Sequence, residues 1–478
     1  MFYFLPCTTI ADYQGEPHML VAGPWTTHLT GTDLAFWPPG VRTPADDARV
    51  ATYADALAFY YGDQWRDRAR RGESRLVLNY ARTLVRKTAS YVFPGPVRFA
   101  AAPGNDPAQR DSGNLAEEAL ATLATDLDLD RLDQALAIDA AVLGDAAIKV
   151  TWDDRAGRPR VAPVDPGSLV AQWAPDDPRA LEKMTHAYGL TGSQARRLFP
   201  RFRLEGLDPG RISPVVETWT ADRWAVRIDG QLVHDVANPY GWIPYVVIAN
   251  SPRPFSFWGQ SDLVDLIDVC REINERMTVL SRILELSGAP IAVLENVHGS
   301  DGISVGPGAK WELPEGAKAY LLDLLQGGGS QIHLDYIDKL FRILHDLSET
   351  PRTAFGDSGR DLSGAALEVE IQPLVQKVER LRRMWNGVFA RRNAMLLDLL
   401  ERFGNHELHG VRRTTTIWPP ILPSDRDGAV RNAAVLVGSG IQSRRTAIVD
   451  LGGNDPEGEL AAIRAERDFA VTSQGATP

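Results

Sequence analysis

Cysteine is nearly missing from this chain: Cys7 and Cys270 are the only two in 478 residues, far apart and outside any Cys-x-x-Cys pair. That excludes a disulfide framework, argues against a thiolate metal site and suits a reducing cytoplasm. Long apolar runs are missing too. No stretch of about 18 uncharged apolar residues occurs, close to the length a helix needs to cross a bilayer. The opening MFYFLPCTTIADYQGEPHML has no basic residue ahead of its apolar start, so a secretory signal is not expected. Positive charge is not in excess either. With 51 Lys and Arg against 62 Asp and Glu, the net charge is −11. A surface gripping phosphates along its whole extent is therefore excluded, because such affinity comes from counterions released at basic faces. Contact with DNA is expected to be local or weak.

What is present is 44% hydrophobic residues, over a length suited to roughly two to four structural units with a substantial core. The first 50 residues are rich in Gly, Pro and Thr, contain the break Trp37-Pro38-Pro39-Gly40, and read as an irregular arm. From Ala51, Tyr53, Leu57, Tyr60 and Tyr61 fall near helical spacing, and Arg75–Tyr91 continues with Leu78, Ala81, Val85 and Thr88. Two helices joined by a basic turn are expected, with the tyrosines packed in a core rather than stacked on bases. Gly104–Ser112 reads as loop, and Leu115–Leu143 as one helical region ended by Gly144. The texture then changes to strands: AIKVTWDDRAGRPRVAPV and ETWTADRWAVRIDGQLVHDV alternate around glycine-containing turns.

After Trp258 the pattern is helical again. Leu263, Leu266, Ile267, Cys270, Ile273, Met277, Leu280 and Leu284 mark one long amphipathic helix, stopped by Gly288 and Pro290. A compact segment with short strand-like runs follows, closed by Gly327-Gly328-Gly329. A second helix then carries Ile332, Tyr336, Ile337, Leu340, Phe341, Leu344 and Leu347 on one face, up to Pro351. PRTAFGDSGRDLSG reads as a flexible loop. A very long helix runs from Ala365 to Phe403 with Pro373 inside it, where proline removes one backbone bond and bends the axis. RRTTTIW is a strand candidate, followed by short helical segments and a disordered tail, TSQGATP.

Three motifs suggest chemistry and fail on context. Gly356-Asp357-Ser358-Gly359 matches the core of a serine-protease nucleophile motif, but Arg360-Asp361 follow it, no base motif lies upstream and its flanks are helical. A serine hydrolase using Ser358 is therefore the remote alternative, since serine needs a base and an orienting group. His406 and His409 in HELHG lack the spacing that puts two imidazoles on one zinc. Neither VGPGAKW nor GGGSQI forms a phosphate-binding P-loop, so no ATP site is expected. Arg380, Arg382, Arg383, Arg391 and Arg392 make the long helix locally basic. Phosphate contact and ion pairs with carboxylates such as Glu368, Glu370 and Glu379 are equally open readings.

Several local sequences carry a resemblance. They are Tyr60-Tyr61-Gly62, Asn79-Tyr80-Ala81-Arg82-Thr83-Leu84-Val85, Asn238-Pro239-Tyr240-Gly241-Trp242-Ile243-Pro244 and Gly259-Gln260-Ser261-Asp262-Leu263. To these add Ser363-Gly364-Ala365-Ala366-Leu367 and Ile421-Leu422-Pro423-Ser424-Asp425. In this order, across residues 50–465, the chain resembles the portal proteins of long-tailed bacteriophages. The resemblance implies an α+β, mainly helical fold with wing, stem, clip and crown regions, and a ring of about twelve subunits. It implies no enzymatic activity and no cofactor or metal. The ring would stand at one capsid vertex of the virion after assembly in the host cytoplasm, and would pass double-stranded DNA. Its partners would be the large terminase, a head-tail adaptor, and the major capsid and scaffolding proteins, with no membrane. A different ring-forming connector or adaptor is the alternative.

On this resemblance residues 1–50 are an arm, 51–258 the wing, 259–287 a first stem helix, 288–330 the clip and 331–350 a second stem helix. Residues 351–364 are a tunnel loop, 365–403 a kinked helix, 404–423 a return strand to the wing, and 424–478 the crown and tail. Arg352, Phe355, Asp357, Ser358, Arg360 and Asp361 would face the DNA channel, beside Pro373, Arg380 and Arg383 of the kinked helix. Lys310, Glu312 and Glu315 would dock the motor or adaptor. Across 351–364 the charges are two of each sign, so such a loop touches a DNA backbone without clamping it.

Overall fold

The computed structural model describes residues 37, 40–65, 75–101, 107–199, 204, 206–288, 292–296, 315–321, 329–357, 364–422, 426–451, 453 and 456–474. The chain divides into two compact units, Met1–Trp418 and Pro419–Pro478. Helices and strands are mixed, an α+β architecture.

The first unit opens with α1 (Pro44–Tyr61), seven residues ahead of the expected start. The reason is a capping box: Asp46 N–H donates to Thr43 Oγ1 at 3.3 Å and Thr43 N–H to Asp46 Oδ2 at 3.0 Å, with Pro44 at the first helical position. The second helix, α2 (Tyr80–Val92), starts five residues later than expected. Residues 75–79 are irregular instead, because the Leu76 and Leu78 N–H groups donate to Thr278 Oγ1 and Asn274 Oδ1. Asn79 then caps α2 through Arg82 N–H, while its amide donates to Tyr60 O at 2.7 Å and ties the two helices together.

Strand β1 (Arg98–Ala101) follows, and then two helices where one was expected: α3 (Pro107–Asp126), beginning inside the expected loop, and α4 (Leu129–Leu143). Asp128 breaks them, in left-handed backbone at φ 51°. Gly144 ends α4 at φ 95°, as its position suggested.

Strands β2 (Asp145–Asp153) and β3 (Arg158–Val164) form a hairpin, followed by β4 (Leu169–Trp173), β5 (Leu181–Thr191) and the short α5 (Gly192–Leu198). Next come β6 (Ile212–Trp219), β7 (Arg223–Ile228), β8 (Gln231–Ala237) and β9 (Tyr245–Ala249). Two antiparallel sheets result, β4-β5-β6-β7-β8 and β3-β2-β9. The β7–β8 turn is Asp229-Gly230, both at positive φ, which matches the twist of the strands it joins. A small hairpin of β10 (Ser251–Pro252) and β11 (Gly259–Gln260) leads to α6 (Ile267–Gly288).

The α6 helix begins later than the sequence suggested. Residues 261–266 are turns because Ser261 Oγ donates to Val142 O at 2.5 Å and Asp262 N–H to Ala141 O at 2.9 Å, docking this segment on the end of α4. Leu263 and Leu266 are still buried, together with Cys270 and Ile273, against α1, α2 and α4. The expected stripe is thus core of the same chain up to Leu280, while Leu284 is exposed. Burial pushes the Cys270 thiol up to about 12, against a small lowering by the Ala81 backbone, so it stays a thiol. Tyr53 and Tyr60 are core as expected, whereas Tyr61 is exposed.

Strands β12 (Ala292–Glu295) and β13 (Lys318–Leu321) pair antiparallel. Then come α7 (Gly329–Ser348) and α8 (Gly364–Phe403), with Pro373 inside the latter. On α7, Ile337, Leu340 and Leu344 are buried, but Ile332, Tyr336 and Leu347 of the same predicted face are exposed. Helix α8 crosses the unit, burying Leu374, Val378, Trp385, Phe389, Leu396 and Leu400. Its middle sits in an aromatic nest, with Phe93 edge-on to Trp385 at 5.0 Å and Phe99 edge-on to Phe389 at 5.3 Å. Strand β14 (Thr414–Ile417) returns to pair with β1.

The second unit holds α9 (Arg426–Gly438), α10 (Arg444–Asp450) and α11 (Pro456–Gln474), with Ser443 capping α10 through Thr446 N–H at 3.1 Å. Helix α11 extends into the expected tail as far as Gln474.

Candidate functional site

The segment joining α7 to α8 follows from how α7 stops. Pro351 cannot continue a helix, and Glu349 takes left-handed backbone at φ 52°. Ser348 Oγ donates to His345 O at 3.1 Å, satisfying a carbonyl that the helix end leaves open, and His345 Nδ1–H donates to Thr350 O at 2.6 Å, folding the chain back on the helix. A single 3-10 turn, Arg352–Phe355, then closes at Gly356, whose φ of 83° reverses the chain.

Among its described residues the charges are paired locally. Arg352 reaches Asp357 at 2.7 Å and Asp338 of α7 at 3.4 Å. Phe355, 38% exposed, is held edge-on by the His345 ring at 5.8 Å and covered by Lys87 Nζ at 5.5 Å. Ser358, Arg360 and Asp361 lie outside the described residues, as do Lys310 and Glu312. Glu315 is exposed in the turn before β13.

The arginines of α8 divide between roles that the sequence left open. Arg380 Nη2 donates to both carboxylate oxygens of Glu349, at 2.5 and 2.7 Å, joining α8 to the end of α7. Arg382 donates to Val92 O at 3.1 Å, capping α2, and lies over the Trp418 ring at 4.8 Å. Arg392 is buried against Asp133 at 2.5 Å. Arg383 is exposed, as is Pro373 on the same helix. The carboxylates of Glu349 and Asp133 come from other elements rather than from α8 itself.

Sequence reasoning missed Lys377. Its Nζ donates to Ser348 O at 3.1 Å and pairs with Asp262 at 3.2 Å, where Asn250 Nδ2 also donates at 2.6 Å. One ammonium therefore ties α8 to the end of α7 and to the segment entering α6. No local signal could reveal it, since its partners lie far away in the chain.

Two quoted motifs prove to be packing joints. Asn238 Nδ2 donates to Thr220 O and Trp242 O, and Trp242 Nε1 donates to Asp398 Oδ2 at 3.0 Å, strapping the five-stranded sheet to α8. Gly259 N–H donates to Asp145 Oδ1 at 2.8 Å. Asp357 of the GDSG motif is engaged by Arg352. Among the described residues no group of three His, Cys, Asp or Glu side chains could hold a metal ion, and no helix is long and apolar enough to cross a membrane.

No curated protein matches the chain. The sequence does match the family described as phage portal protein, SPP1 Gp6-like, over residues 43–200 and 329–472. The first stretch covers α1 to α5, and the second covers α7, the turn around Arg352, α8 and most of the C-terminal unit. Residues 201–328, with β6 to β13 and α6, fall between them and include two motifs of the resemblance. More than half of the chain is matched, and the protein belongs to the SPP1 Gp6-like family of phage portal proteins, structural components of the capsid vertex through which DNA is packaged.

Proposed function

We propose that this chain forms a closed ring of about twelve copies that encircles double-stranded DNA at one capsid vertex during packaging and ejection. The observation that carries the reading is the family match running unbroken from α7 through the Arg352 turn and along α8. On it, 51–258 with the β14 strand is the wing, α6 and α7 the stem, 288–330 the clip and 424–478 the crown. The clip, with Glu315 exposed beside β13, docks the large terminase and later a head-tail adaptor, while capsid and scaffolding proteins hold the ring from outside.

A heterologous ring contact joins two different faces of one chain. Val279 and Leu284 on α6 and Ile343 and Leu347 on α7 are exposed apolar side chains suited to it. Native mass is expected at about twelve times the 52.5 kDa chain, with an axial hole in particle images. A compact monomer at high concentration would sink the reading.

The segment 351–364 narrows the channel. DNA must slide there without sticking, and Arg352, paired with Asp338 and Asp357, is not free to neutralise a phosphate. Shortening residues 356–362 is expected to leave rings intact by native mass while most heads fail to fill or to keep their DNA. Normal yields of filled heads from that variant would remove the segment from the mechanism.

A further inference from the structure

The β10–β11 hairpin carries Phe255 at its tip, and Phe255 is 95% exposed with φ 56°. Both features are unfavourable. Full exposure forgoes burial of the ring, and left-handed backbone crowds any side chain with a Cβ. Such strain persists where the surroundings over-determine it, and here they do. Pro252 and Pro254 fix the approach to the tip. Ser256 Oγ donates to Trp258 O at 3.0 Å and receives Trp258 N–H at 3.1 Å. Phe257 stacks on Trp173 at 5.6 Å, and buried Trp258 lies 3.8 Å under the Arg49 guanidinium.

The base of the hairpin is equally firm. A Cβ on Gly259 would collide with Gly144 O and lie 2.8 Å from Asn250 N, and one on Gly144 would lie 2.6 Å from Ser261 N. Only two glycines allow this approach of the hairpin to the end of α4. Phe255 is thus presented rigidly, with its ordering cost already met, as in aromatic residues that anchor interfaces.

We infer that Phe255 is a fixed anchor that inserts into an apolar recess on a neighbouring copy of this chain. The inference rests on the ring reading. A heterologous contact needs an element projecting from one face into a different face of the next copy, and Phe255 is the most exposed large apolar side chain among the described residues. The hairpin runs directly into the segment entering α6, where Val264 is 52% exposed, followed by exposed Val279 and Leu284. Anchor and apolar helix surface are therefore joined by a short, docked stretch of chain, and one neighbour can cover both.

The test replaces Phe255 with photoreactive p-benzoylphenylalanine in the full-length protein, after native mass has established whether rings form. Irradiated rings are expected to yield covalent subunit dimers. Phe255→Ala is expected to raise the concentration at which rings half-dissociate by about tenfold, and Phe255→Leu by less. Phe255→Asn, which suits left-handed backbone, keeps the subunit folded and is expected to weaken rings as alanine does. Intact rings without cross-linked dimers would overturn the anchor. So would cross-links found solely to the shell protein in assembled particles. Absence of rings from the unsubstituted protein would instead defeat the ring reading, and the anchor with it.

Discussion

Replacing Glu217 with Gln is expected to cost about 3 kcal/mol or more of unfolding free energy, because it strands the Lys149 ammonium in a joint between two sheets. Glu217 on β6 is 2% exposed and accepts from Lys149 Nζ of β2 at 2.7 and 2.8 Å, Tyr188 OH at 2.6 Å and Trp219 Nε1 at 3.0 Å. Burial by itself would raise this carboxyl, but Lys149, His186 and the hydrogen bonds outweigh it and hold it down to about 2. A folded value below the unfolded one means stability that is complete above the ordinary 4.5 and lost as pH falls toward about 2. His186 adds to the acid sensitivity. Burial and Lys149 push its imidazole down against the pull of Glu217, so the unfolded chain takes up a proton first as pH drops below 6.5. Burial raises Asp165 to about 6, against Gly167 N–H and Arg49, and this acts in the opposite sense over the same range. Denaturant midpoints measured from pH 7 to 3 for Glu217→Gln and the parent isolate the carboxylate. The loss should shrink as pH falls, and a difference that stayed constant to pH 3 would contradict the assignment. The pair Glu217→Leu with Lys149→Met should recover most of the loss, since replacing both charges removes the desolvation cost with the attraction.

Where local rules govern, the sequence was readable. Apolar spacing and Pro351 place α7 and α8 within two residues of their ends, and Asp229-Gly230 and Gly144 mark real turns. Two local signals were passed over, the Thr43–Asp46 capping box that starts α1 early and the break at Asp128; the other misreadings come from partners remote in the chain. Residues 75–79 have helical spacing, but the Leu76 and Leu78 N–H groups go to Thr278 and Asn274. Residues 261–266 carry the α6 stripe, but Ser261 Oγ and Asp262 N–H bind the end of α4 and hold the segment in turns. The arginines of α8 stayed ambiguous for the same reason: Glu349 is 31 residues from Arg380, and Asp133 is 259 residues from Arg392. Periodicity reports which side of a helix is apolar, and it carries no information on which distant carboxylate arrives there. The anchor at Phe255 was equally invisible, since exposure and positive φ belong to the folded chain.

Arg392→Met is expected to destabilise the first unit by about 3–5 kcal/mol, the cost of leaving a buried charge without its partner. Arg392 is 1% exposed and Asp133 3%, and their 2.5 Å contact joins α8 to α4 with the guanidinium 4.7 Å over the Phe389 ring. Here the acid response differs in sign from that of Glu217. Burial raises Asp133 by more than Arg392 lowers it, so the folded chain binds this proton before the unfolded chain does. Acid therefore relieves the stranded carboxylate, and the Arg392→Met deficit should narrow as pH is lowered. The partnered Glu217 behaves otherwise: acid destroys what it contributes. Combining Arg392→Met with Asp133→Leu should restore most of the stability, as two apolar groups need no counter-charge. Chemical denaturation of the four proteins in this cycle measures the coupling directly. A single variant as stable as the parent would mean that α8 and α4 are held by their apolar contacts alone, with the ion pair carried as a passenger.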